Sequence, residues 1–236
     1  MMQSKMKIQG LQKMTLLDFP GRVACTVFLG GCDFRCPFCH NFELVEGPMA
    51  EAVSEAEFFA FLDKRHGLLD GVAITGGEPC LRRDLPEFIA KIHDAGFPVK
   101  LDTNGNNPTM LRHLIDEGLV DYVAMDVKNS PAKYAATIGL REFDLSSVSE
   151  SIELLLQGNV PYEFRTTVIR EFHEAHDFEE IGAWIAGAER YFLQPFADRD
   201  TVPNRSLSAP DPDSLREFRD VAARFVKFAD IRGIDT

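Results

Sequence analysis

A strand followed by an amphipathic helix, six times in succession, is the pattern that most restricts the folds open to this chain. "VACTVF" (23–28), "GVAIT" (71–75), "VKLD" (99–102), "YVAMDV" (122–127), "EFRTTVI" (163–169) and "YFLQ" (191–194) are short apolar runs, as buried strands are. Between them the apolar period changes. Leu85, Phe88, Ile89 and Ile92 recur at i, i+3, i+4, i+7, the buried face of a helix. "SEAEFFAFLDKR" (54–65) is helical too, with Ser54 and Glu57 spaced as a capping box. "PTMLRHLIDEG" (108–118) reads as a helix that Gly118 stops. Val148, Ile152, Leu155 and Leu156 mark a helix, and so do Phe178, Ile181 and Ile185. Leu215, Phe218, Ala222 and Phe225 mark the last, before a short "FADIR" (228–232).

Such alternation predicts an α/β fold, a parallel sheet of βαβ units. A closed eight-fold barrel needs about 250 residues. With 236 residues and a long Cys-containing loop over 28–45, the chain fits an incomplete (β/α)6 TIM-like barrel better, with helices outside the parallel strands. An open doubly wound sheet is the structural alternative. We expect one domain over 1–236, with a C-terminal helix and short strand at 211–232. Apolar residues, 45% of the chain, suffice for a large core.

The net charge of −12, with no basic stripe, argues against a nucleic-acid partner. "MMQSKMKIQG" has no apolar signal region, and no apolar run approaches the ~18 residues of a membrane span. Five cysteines is an odd number, which with no secretion signal points to a reducing cytoplasm rather than a disulfide framework.

In either fold the chemistry gathers at the C-terminal ends of the strands. The Cys loop follows the first strand, "GGEPC" (76–80) the second, and "DTNG" (102–105) ends the third. "MDVK" (125–128) ends the fourth, Arg165 lies in the fifth, and "QPF" (194–196) ends the sixth. The polar residues that interrupt the apolar pattern thus fall on one predicted face.

In "GCDFRCPFCHN" (31–41), Cys32, Cys36 and Cys39 are spaced C-x3-C-x2-C with no fourth cysteine nearby. Cys25, within an apolar strand, reads as structural. Zinc would need four ligands, and His40, next to Cys39, is poorly placed for the fourth. An electron-transfer [4Fe–4S] cluster takes four cysteines, the fourth here being Cys80. The remaining reading is a [4Fe–4S] cluster on three thiolates, with one iron open to a substrate.

That spacing, with aromatic Phe38 before the last cysteine, resembles the radical S-adenosylmethionine enzymes. The resemblance implies that S-adenosylmethionine chelates the fourth iron. An electron from the cluster then cleaves a carbon–sulfur bond, giving methionine and a 5′-deoxyadenosyl radical. "TGGEP" (75–79) resembles the superfamily's Gly-Gly-Glu-Pro motif, so Gly76, Gly77, Glu78 and Pro79 are implied contacts of the methionyl ammonium. "DTNG", "MDVK" and Arg165 resemble the glycyl-radical-enzyme activases, which include the pyruvate formate-lyase activase. The resemblance puts Lys128 and Arg165 by the methionyl carboxylate, Asp102 beside the cofactor, and a monovalent cation at Asp102, Thr103 and Asp126. Read without it, residues 102–105 make a good turn and Lys128 is a solvated side chain. Ala197 departs from the activase pattern, which has a histidine near the adenosine.

From "GLQKMTLLDFPGRVACTVFLGGCDFRCPFCHN" to "VKFADIRG" the chain resembles the activating proteins of anaerobic ribonucleoside-triphosphate reductase. This implies a protein substrate: the radical takes hydrogen from a glycine of a partner reductase. An electron donor such as flavodoxin or ferredoxin is implied with it. Activation of another glycyl radical enzyme, of pyruvate formate-lyase type, is the nearest alternative. A radical enzyme acting on a small molecule, such as a deazapurine-forming synthase, and a non-enzymatic iron–sulfur carrier are the others.

Overall fold

The computed structural model describes residues 6–46 and 50–233, so the outermost residues of the 1–236 span, including "MMQSK", lie outside the described residues. The strands are β1 (Gly10–Thr15), β2 (Ala24–Leu29), β3 (Gly71–Gly76), β4 (Val99–Thr103), β5 (Tyr122–Asp126), β6 (Tyr162–Val168), β7 (Tyr191–Pro195) and β8 (Ala229–Ile231). The helices are α1 (Glu55–Asp63), α2 (Leu85–Asp94), α3 (Pro108–Asp116), α4 (Tyr134–Thr137), α5 (Ser146–Leu156), α6 (Ala175–Trp184) and α7 (Pro212–Ala222). The strands follow chain order through one sheet, β1 to β8. From β2 to α7 there are six β/α units, the α/β arrangement of an incomplete (β/α)6 barrel. No helix among the described residues is long and apolar enough to cross a membrane.

The chain divides into two compact units. One comprises Met1–Asp33, Glu43–Thr103 and Thr109–Val123, the other Phe34–Phe42, Asn104–Pro108 and Ala124–Thr236.

In the first unit β2 pairs in parallel with β3 over six residues, from Ala24↔Gly71 to Leu29↔Gly76, and β3 pairs in parallel with β4. Val27, Leu29, Val72, Ile74 and Leu101 are completely buried. The predicted capping box is present: Ser54 Oγ accepts from the Glu57 amide, and the Glu57 carboxylate accepts from the Ser54 amide. Leu85, Phe88, Ile89 and Ile92 are buried as their spacing requires. β1, antiparallel to β2, is an element the periodicity does not predict. It lies at the end of the sheet order, and Gln12, Lys13 and Met14 are exposed, so no apolar alternation marks it. A charged side chain on such an edge also discourages pairing with another chain.

In the second unit β6, β7 and β8 pair in parallel. Phe178 of α6 stacks on Phe218 of α7, with centroids 4.7 Å apart. The short α4 is the second unpredicted element. Its Tyr134 packs edge-on to Phe34 and Trp184 and stacks on Phe143.

Arg232, just past β8, closes this unit. Its guanidinium makes two hydrogen bonds to the Glu163 carboxylate, at 2.5 and 2.6 Å, and lies 3.5 Å from the centre of the Phe192 ring. Glu163 is completely buried. Removing one member of such a pair strands a buried charge, which costs about 3–5 kcal/mol. Arg232→Met should therefore lower the unfolding free energy, read from urea denaturation, by an amount near the lower end of that range, since Arg232 is itself part-exposed. A Glu163→Gln/Arg232→Met double variant should recover part of the loss.

Candidate cofactor site

The first unit contributes the Gly-Gly-Glu segment. Gly76 ends β3 at φ +125°, where a side chain is strained. A Cβ there would lie 2.2 Å from the Leu29 carbonyl oxygen, and one on Gly77 would lie 2.0 Å from that of Gly31. The two backbones are also hydrogen-bonded: the Gly77 amide donates to Leu29 O at 2.8 Å, and the Glu78 amide to Gly31 O at 2.7 Å. The Gly31 amide donates to Leu44 O at 2.7 Å, closing the base of the loop that begins with Cys32. The paired glycines thus hold the start of the Cys loop. Glu78 is 1% exposed, and its Oε1 accepts from the Cys80 amide at 2.9 Å and the Thr103 hydroxyl at 2.8 Å. It anchors the end of β3 to the end of β4. Pro79 begins a short 3-10 turn that the Glu78 side chain caps.

Asp102 lies two residues beyond Lys100 on the same strand, so their side chains share a face. The Lys100 ammonium, 2% exposed, donates to Asp102 Oδ1. The sequence shows the signal for this pair in the alternation of "VKLD", which puts a lysine inside a buried strand.

The second unit contributes the rest. Asp126 ends β5 and bonds two cations: Lys128 Nζ to its Oδ2 at 2.8 Å and Arg165 Nε to its Oδ1 at 2.9 Å. Burial alone would raise the Asp126 carboxyl, but Arg165 and Lys128 outweigh it and hold it well below the usual range. Burial would lower Lys128, but Asp126 and Cys36 hold it well above its ordinary value. All three groups are charged at neutral pH, and two cations side by side are the chemistry that recognises a carboxylate.

The backbone that carries Lys128 is clamped by residues the sequence did not single out. Buried His173 accepts from the Ile169 amide at Nδ1, 3.1 Å, and donates from Nε2 to the Lys128 carbonyl, 3.0 Å. Asn129 donates to Thr137 Oγ1, and Ser130 Oγ donates to Asp177. No motif or periodicity marks them, because their role depends on the turn after β5 meeting the segment before α6.

The Pro37–His40 part of the Cys loop belongs to this unit as well. The Asn204 amide donates to Pro37 O at 3.0 Å and Thr201 Oγ1 to His40 O at 2.6 Å. The His40 ring lies 2.7 Å from the carbonyl oxygen of Ala197, the position where the activase pattern differs. Phe38 packs edge-on to Phe172.

None of the five cysteines is joined in a disulfide; Cys32 and Cys39 are half-buried and Cys36 is 7% exposed. Among the described residues no three His, Cys, Asp or Glu side chains are already drawn together for a metal. Three soft thiols in one loop, none in a disulfide, are a donor set that fits an iron–sulfur cluster, whose binding deprotonates its ligands. Burial raises the Cys39 thiol, and Lys128 opposes the shift. The two carboxylates assigned to a monovalent cation each meet a protein cation already. Asp102 is paired with Lys100 and Asp126 with two cations. An added cation ~4 Å from a like charge near a protein surface meets about 4 kcal/mol of repulsion from each.

The radical SAM superfamily model matches residues 26–185. A Methanocaldococcus jannaschii protein, provisionally named a glycyl-radical enzyme activating enzyme, is 32% identical over 238 residues, 98% of each chain. A 7-carboxy-7-deazaguanine synthase from Koribacter versatilis is 30% identical over 165 residues, 69% of this chain and 67% of that protein. The solved structure of QueE from Escherichia coli shares the fold at a TM-score of 0.59 and 18% identity, over 98% of this chain and 95% of that one.

Two predictions follow from the charges. At matched ionic strength, sodium, potassium and tetramethylammonium chlorides should give the wild-type protein the same thermal midpoint. Lys100→Met, which removes the ammonium from Asp102, should gain a selective response to sodium or potassium in the same melts. The second concerns His173. Burial lowers it from its ordinary value of 6.5, so the unfolded chain binds its proton first as pH falls. Its contribution to stability is complete above about pH 6.5 and is lost on acidification through the lower folded value. His173→Gln should flatten the fall of the thermal midpoint over that range, leaving the slope of like sign from His40, which burial also lowers.

Proposed function

Starting from a chain that belongs to the radical SAM superfamily and to its glycyl-radical-enzyme activating enzymes, we propose that it makes a 5′-deoxyadenosyl radical to oxidise a glycine on a partner protein. The partner we assign is anaerobic ribonucleoside-triphosphate reductase. The end-to-end match to the activating relative, 98% of both chains, carries the activase reading, and the choice of this reductase rests on the sequence resemblance.

Cys32, Cys36 and Cys39 hold the [4Fe–4S] cluster. When bound, the cluster supplies the electron that splits S-adenosylmethionine into methionine and the 5′-deoxyadenosyl radical, drawn in turn from a flavodoxin or ferredoxin. The segment Gly76–Pro79 receives the methionyl ammonium through its backbone, with Glu78 as the buried anchor of that backbone. Lys128 and Arg165, both bonded to Asp126, receive the methionyl carboxylate. Asp102 stands beside the cofactor, neutralised by Lys100. Phe38 packs next to Cys39 and limits water there. Hydrogen abstraction from a glycine Cα turns the radical into 5′-deoxyadenosine and leaves the unpaired electron on the partner. That step needs no general acid or base.

The match to a deazaguanine synthase favours a second reading, a radical enzyme acting on a small molecule. It covers a smaller share of both chains than the activating relative does.

Anaerobically reconstituted protein should bind about four irons and, once reduced, turn S-adenosylmethionine into 5′-deoxyadenosine. Cys32→Ala, Cys36→Ala and Cys39→Ala should each abolish cleavage, whereas Cys25→Ala and Cys80→Ala should retain it. Adding the reductase from the same organism should give a glycyl-radical doublet by electron paramagnetic resonance. The doublet should disappear when the partner's radical glycine is replaced by alanine. A doublet on a different glycyl radical enzyme alone would change the partner, and turnover of a small molecule with no doublet on any would overturn the activase reading.

A further inference from the structure

Among the described residues one buried side-chain oxygen or nitrogen stands without a hydrogen-bond partner, the hydroxyl of Tyr134. The residue is 1% exposed, so no solvent compensates it. A phenol isolated in this way is destabilising, and a buried Tyr hydroxyl ordinarily finds a partner. The Lys128 backbone amide faces the phenol oxygen, which leaves the hydroxyl's own proton without an acceptor.

Its surroundings narrow the kind of partner. Tyr134 begins α4, and α4 supports the Cys loop between Cys32 and Cys36. The Arg35 amide donates to Ile138 O at 2.9 Å, and Phe34 packs edge-on against the Tyr134 ring. Gly139, at φ +76°, lets the loop come so close that a Cβ there would lie 2.2 Å from Arg35 O. The ring is thus fixed against the segment that leads into Cys36. Lys128, Cys36 and Asp126 are the charged or ionisable groups near enough to act on the phenol. Lys128 is a donor only and Asp126 is already bonded by Lys128 and Arg165. The acceptor of this set that appears only when a cofactor binds is the Cys36 sulfur, once it is a thiolate.

We propose that the Tyr134 hydroxyl is a positioning and tuning residue that donates a hydrogen bond to the Cys36 thiolate when the iron–sulfur cluster is bound. The inference rests on the reading that Cys36 is a cluster ligand. A hydrogen bond to a ligand sulfur favours the more negative, reduced cluster, so it raises the reduction potential. It also explains why an unpartnered hydroxyl is kept in a core of aromatic rings, where phenylalanine would pack as well.

Tyr134→Phe removes the hydroxyl and nothing else. In the full-length protein with its cluster, potentiometric titration followed by electron paramagnetic resonance should show the potential falling. A tenfold change in the reduction equilibrium, the size we expect, is about 59 mV for one electron. In the full-length iron-free protein the same variant should have a thermal midpoint equal to or above that of wild type, because an uncompensated polar group has been removed. An unchanged or raised potential, in a variant that still binds about four irons, would overturn the proposal. So would a destabilised iron-free variant, which would mean that the hydroxyl already has a partner there. Failure of the wild type or of Cys36→Ala to distinguish cluster-bound from iron-free protein would instead remove the cluster reading, and this proposal with it.

Discussion

The close approach of two backbones, Leu29–Gly31 and Gly76–Gly77, is the constraint on which the strand ends of the first unit depend. Carbonyl oxygens 2.0 and 2.2 Å from the Cβ positions leave room for hydrogen alone, so both residues must be glycine. The approach lets the Gly77 and Glu78 amides bond the strand-end carbonyls of Leu29 and Gly31. It continues the parallel β2–β3 pairing past the last strand residues into the loop. A Gly-Gly pair that is easily read as flexibility for a ligand is, at these distances, also a packing requirement of the protein's own backbone. Glu78 extends the same logic. Its buried carboxylate ties Cys80 and Thr103 together, so the anchor exists before any ligand arrives.

Charge is handled differently in the two units. In the first, Lys100 and Asp102 cancel on one face of β4. In the second, the two cations Lys128 and Arg165 share Asp126. Holding Lys128 through its backbone with His173 is an economical use of a buried imidazole. The neutral ring accepts one backbone hydrogen bond and donates another, so the side chain of Lys128 keeps its reach toward Asp126. Burial, which keeps the ring neutral, is therefore part of the arrangement.

The six strand–helix units were legible because each buried one apolar face, and burial is what hydrophobic periodicity reports. The capping box at Ser54 was legible because both of its members lie within one turn. β1 was not, since three of its six residues face solvent and its order comes from pairing with β2. α4 was not, since four residues are too few to show a period. For the site, residues at strand ends could be named from the sequence, as Glu78 and Asp126 were, and so could Arg165 within its strand. His173, Asn129 and Asp177 could not, because their partners lie 45, 8 and 47 residues away and are partly backbone atoms. Tyr134 was hidden for a related reason. A tyrosine among Phe34, Phe143 and Trp184 looks like core, and only the lack of a partner for its oxygen sets it apart.

The protein also sorts its five cysteines by environment. Cys25 is completely buried in β2, and burial pushes its thiol up to about 12. Cys80 is buried beside Glu78, and burial together with that carboxylate raises its thiol as well. Both stay protonated at neutral pH, and a protonated thiol is neither a nucleophile nor a metal ligand. Cys39 is raised by burial too, but Lys128 opposes the shift. The same lysine lies within electrostatic range of Cys36. Iron insertion releases the thiol protons, so it proceeds most easily where a cation offsets the charge left behind. The ammonium that we propose to receive a carboxylate thus also opposes the rise of the Cys39 thiol. That shared use gives a physical reason for a lysine two residues past β5, in the same unit as the second half of the Cys loop.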